Sequence, residues 1–123
     1  MTPKTFGMAG LIGAAALLAS TSAWAHAQLV SSTPTADAAV AAAPKTITLT
    51  FSEKLVPAFS KFELVMPEHG GMKVAVATVV SGDGKSIVGT PEGTLIRGAY
   101  KVVWTAASAY GHRMTGEVAF RVG

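Results

Sequence analysis

The sequence predicts an all-β domain, an immunoglobulin-like sandwich or barrel of about seven strands. Two observations favour this class. Short segments in which apolar and polar residues alternate recur through the chain, and turn-forming residues separate them. In addition, the 98 residues that follow residue 25 of the 123 are enough for one small domain.

The first predicted strands each carry one apolar face. An initial strand covers about Gln28 to Ser32, and two clearly alternating segments, TITLTF and KFELVM, follow it. Their apolar positions are Ile47, Leu49 and Phe51 in the first segment and Phe62, Leu64 and Met66 in the second.

The second half continues the pattern. MKVAVATVV predicts one strand that starts at Met72, and SGDGKS (81–86) predicts a hairpin turn into SIVGT. The last two strands lie in AYKVVW and EVAFRV. Their core-facing residues are Tyr100, Val102 and Trp104 in the first and Val118, Phe120 and Val122 in the second.

One segment before these strands is ambiguous. DAAVAAA (37–43) has helical propensity, but it is short and ends at Pro44. We interpret it as a loop with at most one helical turn.

The N-terminal 25 residues are typical of a secretory signal peptide. Lys4 supplies a positive charge, Ala9 to Ser20 form an apolar run, and Ala23-Trp24-Ala25 places small residues where signal peptidase cuts. The apolar run has 12 residues, whereas a transmembrane helix needs ~20, so an uncleaved anchor is the weaker interpretation. We expect residues 1–25 to be removed after export, which leaves a domain of residues 26–123.

Composition narrows the chemistry. After residue 25, nine lysines and arginines stand against seven acidic residues, scattered singly, which gives no support for nucleic-acid binding. The chain has no cysteine, which excludes disulfides and thiolate metal sites. No hydrolase elbow, zinc-protease motif or phosphate-binding loop is present either. Metal binding is the chemistry that remains.

The sequence contains three histidines, His26, His69 and His112. If cleavage follows Ala25, His26 carries a free α-amine, and its amine and imidazole can bind one ion together. Nitrogen donors of this kind suit Cu(II). His112 lies in SAYGHRMTG, a turn-like stretch between the last two strands, where it is a second candidate ligand or a surface histidine.

Three segments carry a family resemblance. HAQLVSSTP, ITLTFSEKL and GAYKVVWTAASAYGHRMTGEVAFRV, in this order, resemble the CopC-type periplasmic copper-resistance proteins over residues 26–123. The resemblance implies a Greek-key β-sandwich that carries copper outside the inner membrane and catalyses no reaction. It also implies a partner, an inner-membrane copper transporter of the CopD type.

The resemblance also implies a ligand set. In that family the N-terminal amine and imidazole, a loop histidine and an aspartate two residues before it bind Cu(II). His26 and His112 match, but Tyr110 stands at the aspartate position, where a phenol brings charge only if the metal helps to deprotonate it. Tyr110 is therefore either a weak oxygen ligand or a shield. Glu53 matches a recurrent position and is a candidate nearby carboxylate, or simply a solvated side chain.

A second candidate site lies in MPEHGGM. Some members of the family bind Cu(I) there through methionines and a histidine, and Met66, His69 and Met72 fit that chemistry. The competing interpretation is structural, because period-two alternation assigns Met66 to the core and leads Met72 into Val74 and Val76. Met114, two residues after His112, either lines the first site or packs in the core, and packing is the preferred interpretation.

Two other functions compete with copper carriage. The departure at Tyr110 favours a degenerate member of the family that lacks a tight metal site and serves as an interaction module. A copper mono-oxygenase would also use an N-terminal histidine, a second histidine and an axial tyrosine, but 98 residues leave little surface for a polysaccharide. We rank the mono-oxygenase last.

Overall fold

The computed structural model describes residues 28–123, which form two β-sheets packed face to face. The four-stranded sheet has the order β1-β3-β7-β6 and the five-stranded sheet the order β2-β9-β8-β4-β5. The strands are β1 (Leu29–Thr33), β2 (Ala38–Val40), β3 (Ile47–Phe51), β4 (Lys61–Met66), β5 (Met72–Val74), β6 (Val76–Val80), β7 (Ser86–Pro91), β8 (Gly98–Ala107) and β9 (Arg113–Val122). The predicted all-β sandwich is confirmed.

The core consists of the apolar faces that alternation predicts. All twelve residues assigned to these faces in β3, β4, β8 and β9 are at most 7% exposed. Trp104 packs edge-on against Phe51 with ring centroids 5.1 Å apart, and Tyr100 stacks on Phe120 at 5.3 Å. The Tyr100 hydroxyl donates to the carbonyl of Ile96 at 2.6 Å, so its burial leaves no orphaned donor. Both aromatic predictions are confirmed.

The segment from Met72 to Val80 is not one strand, so that prediction is wrong. β5 pairs with β4 in the five-stranded sheet, whereas β6 pairs with β7 in the other, and the chain changes sheets at Ala75. The expected strand is thus two strands. Alternation persists across the change because both sheets turn one face toward the same core.

The interpretation of residues 37–43 as a loop is also wrong, since β2 lies within them. β2 runs parallel to the end of β9, with Ala38 opposite Phe120 and Val40 opposite Val122. The backbone N–H of Asp37 donates to the Ala119 carbonyl at 2.7 Å, which starts this pairing. Alanine has little β propensity of its own, so the hydrogen bonds offered by the edge of β9 decide the conformation.

The predicted hairpin turn at 81–86 is confirmed between β6 and β7. The Asp83 carboxylate accepts hydrogen bonds from the Ser81 hydroxyl at 2.6 Å and the Lys85 backbone N–H at 3.0 Å. These bonds, the Ser81 bond first, hold the pKa of Asp83 below its usual value. Gly84 adopts a φ of 78°, which a side chain would disfavour.

No helix within residues 28–123 is long and apolar enough to cross a membrane.

The strand register shows which residues lie at each end of the five-stranded sheet. Lys61 at the start of β4 lies opposite Thr105 near the end of β8, and Val65 lies opposite Lys101. The end of β8 and the end of β4 therefore lie at opposite ends of the sheet.

Candidate metal centre

One end of the sandwich is organised by the segment from Ser52 to Leu55, directly after β3. On one side, Ser52 exchanges two hydrogen bonds with Gln28: its hydroxyl accepts from the Gln28 N–H and its own N–H donates to the Gln28 carbonyl, both at 2.9 Å. On the other side, the Lys54 carbonyl accepts from the Ala109 N–H at 3.0 Å. This segment thus ties the start of β1 to the loop that joins β8 and β9.

That loop contains Tyr110 and His112, and buried Ser108 holds it. The Ser108 hydroxyl accepts the backbone N–H groups of Tyr110 and His112, both at 3.3 Å, and its own N–H donates to the His112 carbonyl at 2.9 Å. Gly111 permits the reversal with a φ of 93°. The Gly111 N–H also donates to the Ser108 carbonyl at 2.9 Å, so four hydrogen bonds to one serine fix the loop.

The two candidate ligands of the loop differ in exposure. His112 is half-buried, whereas the Tyr110 side chain is 79% exposed. Arg113, the next residue after His112, stacks its guanidinium over the Phe59 ring at 5.0 Å. The geometry thus presents the histidine at the edge of the core and leaves the phenol in solvent.

Glu53 lies at the same end and has an unusual environment. The residue is half-buried, and its Oε2 atom is buried without a hydrogen-bond partner among the described residues. A buried carboxylate oxygen without a partner costs free energy unless a cation or a donor approaches it. This orphaned oxygen fits a site that accepts a positive ion.

His26 lies outside the described residues, two positions before Gln28. Within residues 28–123, no three histidine, aspartate or glutamate side chains cluster closely enough to hold a metal.

The segment MPEHGGM (66–72), called the methionine turn below, lies at the end of the five-stranded sheet opposite the His112 loop. Met66, the last residue of β4, is 1% exposed, and Met72, its cross-strand partner in β5, is 51% exposed. His69 ends the short 3-10 helix Pro67–His69 between them and is exposed. The core position predicted for Met66 is confirmed. Met72 starts a short edge strand that leads into Val74, and its own side chain is exposed.

The family model of the CopC domain matches residues 29–123. The chain belongs to the CopC family. The predicted resemblance is thereby confirmed, and the sandwich described above is the CopC sandwich.

Three relatives match most of the chain. Copper resistance protein C of Pseudomonas syringae pv. tomato is 47% identical over 89% of this chain and 90% of its own, and that of Xanthomonas campestris pv. juglandis is 44% identical over 88% of each. Protein YobA of Escherichia coli K12 is 36% identical over 85% of each chain.

Two solved structures are similar as well. The first is PcoC, a methionine-rich copper resistance protein from Escherichia coli, with a TM-score of 0.73 and 43% identity over 80% of this chain and all of PcoC. The second is CopC from Methylosinus trichosporium OB3b, with a TM-score of 0.72 and 28% identity over 79% and 93%.

Sequence reasoning missed the role of Ser108 in this CopC domain. The serine belongs to the closing motif, yet nothing in its position there indicates that it would be 1% exposed and bind the backbone of two loop residues. The available signal was its type: a serine that directly follows a strand often accepts a backbone N–H two residues on.

Proposed function

We propose that this CopC protein binds copper in the periplasm and buffers or delivers it in copper resistance and homeostasis. Family membership supports the proposal, together with the copper resistance proteins that are 44–47% identical over nearly the whole domain. The names of these relatives describe a resistance protein rather than a catalysed reaction, so we propose no enzymatic activity.

The proposed Cu(II) site combines His26 with His112. The α-amine and imidazole of His26 supply two nitrogen donors once residues 1–25 are removed after Ala25, and the imidazole of His112 supplies a third. One observation carries this arrangement: the Ser52–Leu55 segment bonds to both Gln28 and Ala109, so that the start of the domain and the His112 loop share one end. Nitrogen donors suit Cu(II).

Two oxygen groups complete the proposed site. Glu53 offers the buried, unpartnered Oε2 as a ligand or as a nearby negative charge that balances the ion. Tyr110, at the position where the resemblance expects an aspartate, is 79% exposed and serves as a weak ligand or a shield. The donor set therefore fits copper, with fewer carboxylates than the resemblance implies.

A second candidate function follows from Tyr110. With the carboxylate replaced by an exposed phenol, the domain would bind copper weakly and act as an interaction module instead. An inner-membrane transporter of the CopD type is the proposed partner in either case. The two functions differ in whether the protein retains Cu(II) against a chelator.

The test is a Cu(II) titration followed by electron paramagnetic resonance, with a competing chelator present. The sample is protein exported and processed from the full chain, and mass spectrometry verifies that it begins at His26. We expect one saturable site with nitrogen hyperfine structure. Copper lost to the chelator, with only a heterogeneous signal left, would reject the Cu(II) carrier and favour the interaction module.

Replacing Tyr110 with aspartate is expected to strengthen Cu(II) binding by about tenfold, or ~1.4 kcal/mol. The carboxylate adds a charged oxygen near the ion, and the exposed position lets the substitution proceed without disturbing the core. Competition titration measures the change, and Tyr110→Asn is the matched control that adds an oxygen without charge. Equal affinities for the Asp and Asn variants would show that position 110 does not reach the metal.

A further inference from the structure

Met114 lies on the core side of β9, close to the proposed copper site. It is half-buried and packs against the core, and its cross-strand partner is Ala106. Its neighbours Arg113 and Thr115 are exposed, which fixes the side chain of Met114 on the inner face.

His112 shares that face. The hydrogen bond from the Ser108 N–H to the His112 carbonyl at 2.9 Å extends the β8–β9 ladder by one pair beyond Ala107 and Arg113. Side chains two residues apart in an extended strand leave the backbone on the same side, about 6.6 Å apart. Because methionine has three rotatable bonds, its thioether and the His112 imidazole can converge on one ion.

The small residues of β8 next to Met114 favour such a contact. Ala106 lies opposite Met114 and Ser108 lies opposite His112, whereas the Trp104 indole fills the space over Gly116, within 2.4 Å of an ideal Cβ there. Methionine has three rotatable bonds and adapts to irregular space. Its thioether can therefore point along the strand toward His112 without displacing a large side chain of β8.

The methionine turn offers a poorer sulfur site. Met66 is 1% exposed, and its methyl carbon packs against Gly98. A Cβ added to Gly98 would lie 3.2 Å from that methyl carbon. The Met66 side chain is therefore buried in the core, at the end of the sheet opposite His112. That leaves exposed Met72 as the one thioether of the turn with ready access to solvent.

We propose that Met114 contributes a thioether to copper held by His112, so that this end of the sandwich binds Cu(I) as well as Cu(II). The inference rests on the proposed Cu(II) site and adds to it the second oxidation state. A soft sulfur next to an imidazole favours Cu(I), and the exposed phenol at Tyr110 in place of a carboxylate weakens the preference for Cu(II).

The test compares Met114→Leu with Met72→Leu, a matched loss of a methionine at the other end. Both variants are produced by export of the full chain and checked for unchanged melting, since leucine replaces methionine at nearly constant volume. Cu(I) affinity is measured anaerobically by competition with a chromogenic Cu(I) chelator, and X-ray absorption reports sulfur scattering from the bound ion. Cu(II) affinity is measured in parallel.

We expect Met114→Leu to lower Cu(I) affinity at least tenfold and to remove the sulfur scattering, with Cu(II) affinity changed less than twofold. Met72→Leu should leave both affinities unchanged. Absence of Cu(I) binding in the unmodified protein, full Cu(I) affinity in Met114→Leu, or loss of Cu(I) binding in Met72→Leu would each overturn the assignment. Failure of the Cu(II) titration alone would instead refute the proposed Cu(II) site.

Discussion

Replacing His112 with glutamine is expected to lower Cu(II) affinity by about 100-fold or more, which corresponds to ~2.8 kcal/mol. Loss of a residue that only supports a metal ligand typically costs 10–100-fold, so loss of a nitrogen donor should cost at least as much. In the proposed site, the amine and imidazole of His26 would hold the ion without its third nitrogen.

The hydrogen bonds that hold the loop do not depend on the His112 side chain. Ser108 binds the backbone of residue 112, through N–H and C=O groups that glutamine retains, and His112 itself is only half-buried. The loop should therefore keep its conformation. Thermal melting of the metal-free protein checks this, and a shift of more than a few degrees would signal a folding defect.

His69→Gln is the matched control, because it removes an exposed histidine from the opposite end of the domain. Its Cu(II) affinity should remain within twofold of the unmodified protein. Equal losses in both variants would point to nonspecific binding by imidazoles. An unchanged affinity in His112→Gln would contradict the proposed site and leave His26 as the anchor of a different one.

The sequence predicts which face of each strand is buried better than it predicts how the strands are connected and paired. Period-two alternation places Phe62, Val102 and Phe120 in the core because burial on one side is a local property of each strand. The change of sheet at Ala75 leaves no such trace, since Val74 and Val76 face the same core from opposite sheets. Strand β2 likewise cannot be predicted from the local sequence pattern, because it forms by pairing with the end of β9, which is distant in the chain.

The site shows the same division. His112 is identifiable from its motif, and its half-buried place at the end of the sandwich is consistent with that motif. Three other features depend on segments that are far apart in the chain. They are the hydrogen bonds that join Gln28 through the Ser52–Leu55 segment to the loop, the bonds from Ser108 to the loop backbone, and the buried Glu53 oxygen without a partner among the described residues. Residue type predicts which groups can bind a metal, whereas long-range packing determines which of them meet.

Packing between the two sheets leads to the second large effect, at Gly89 in β7. An ideal Cβ on Gly89 would lie 2.1 Å from Cζ of Phe62 and less than 3 Å from two further ring atoms. Gly89 sits between Ile47 and Thr78 in the four-stranded sheet, and Phe62 belongs to the other sheet. The glycine therefore provides the space that the ring occupies.

Gly89→Ala is expected to destabilise the domain by about 3 kcal/mol, because the ring is 4% exposed and a side chain at 89 forces it or the two sheets apart. For a domain of this size the melting temperature should fall by roughly 15 °C, measured by circular dichroism on the metal-free protein. Gly82→Ala is the control, since a Cβ there meets nothing within 4 Å. Phe62→Leu combined with Gly89→Ala should cost less than the sum of the two single changes, because the smaller side chain relieves the clash. A melting point for Gly89→Ala equal to that of the Gly82→Ala control would mean that the sheets have room at this point and that Phe62 does not fix their spacing.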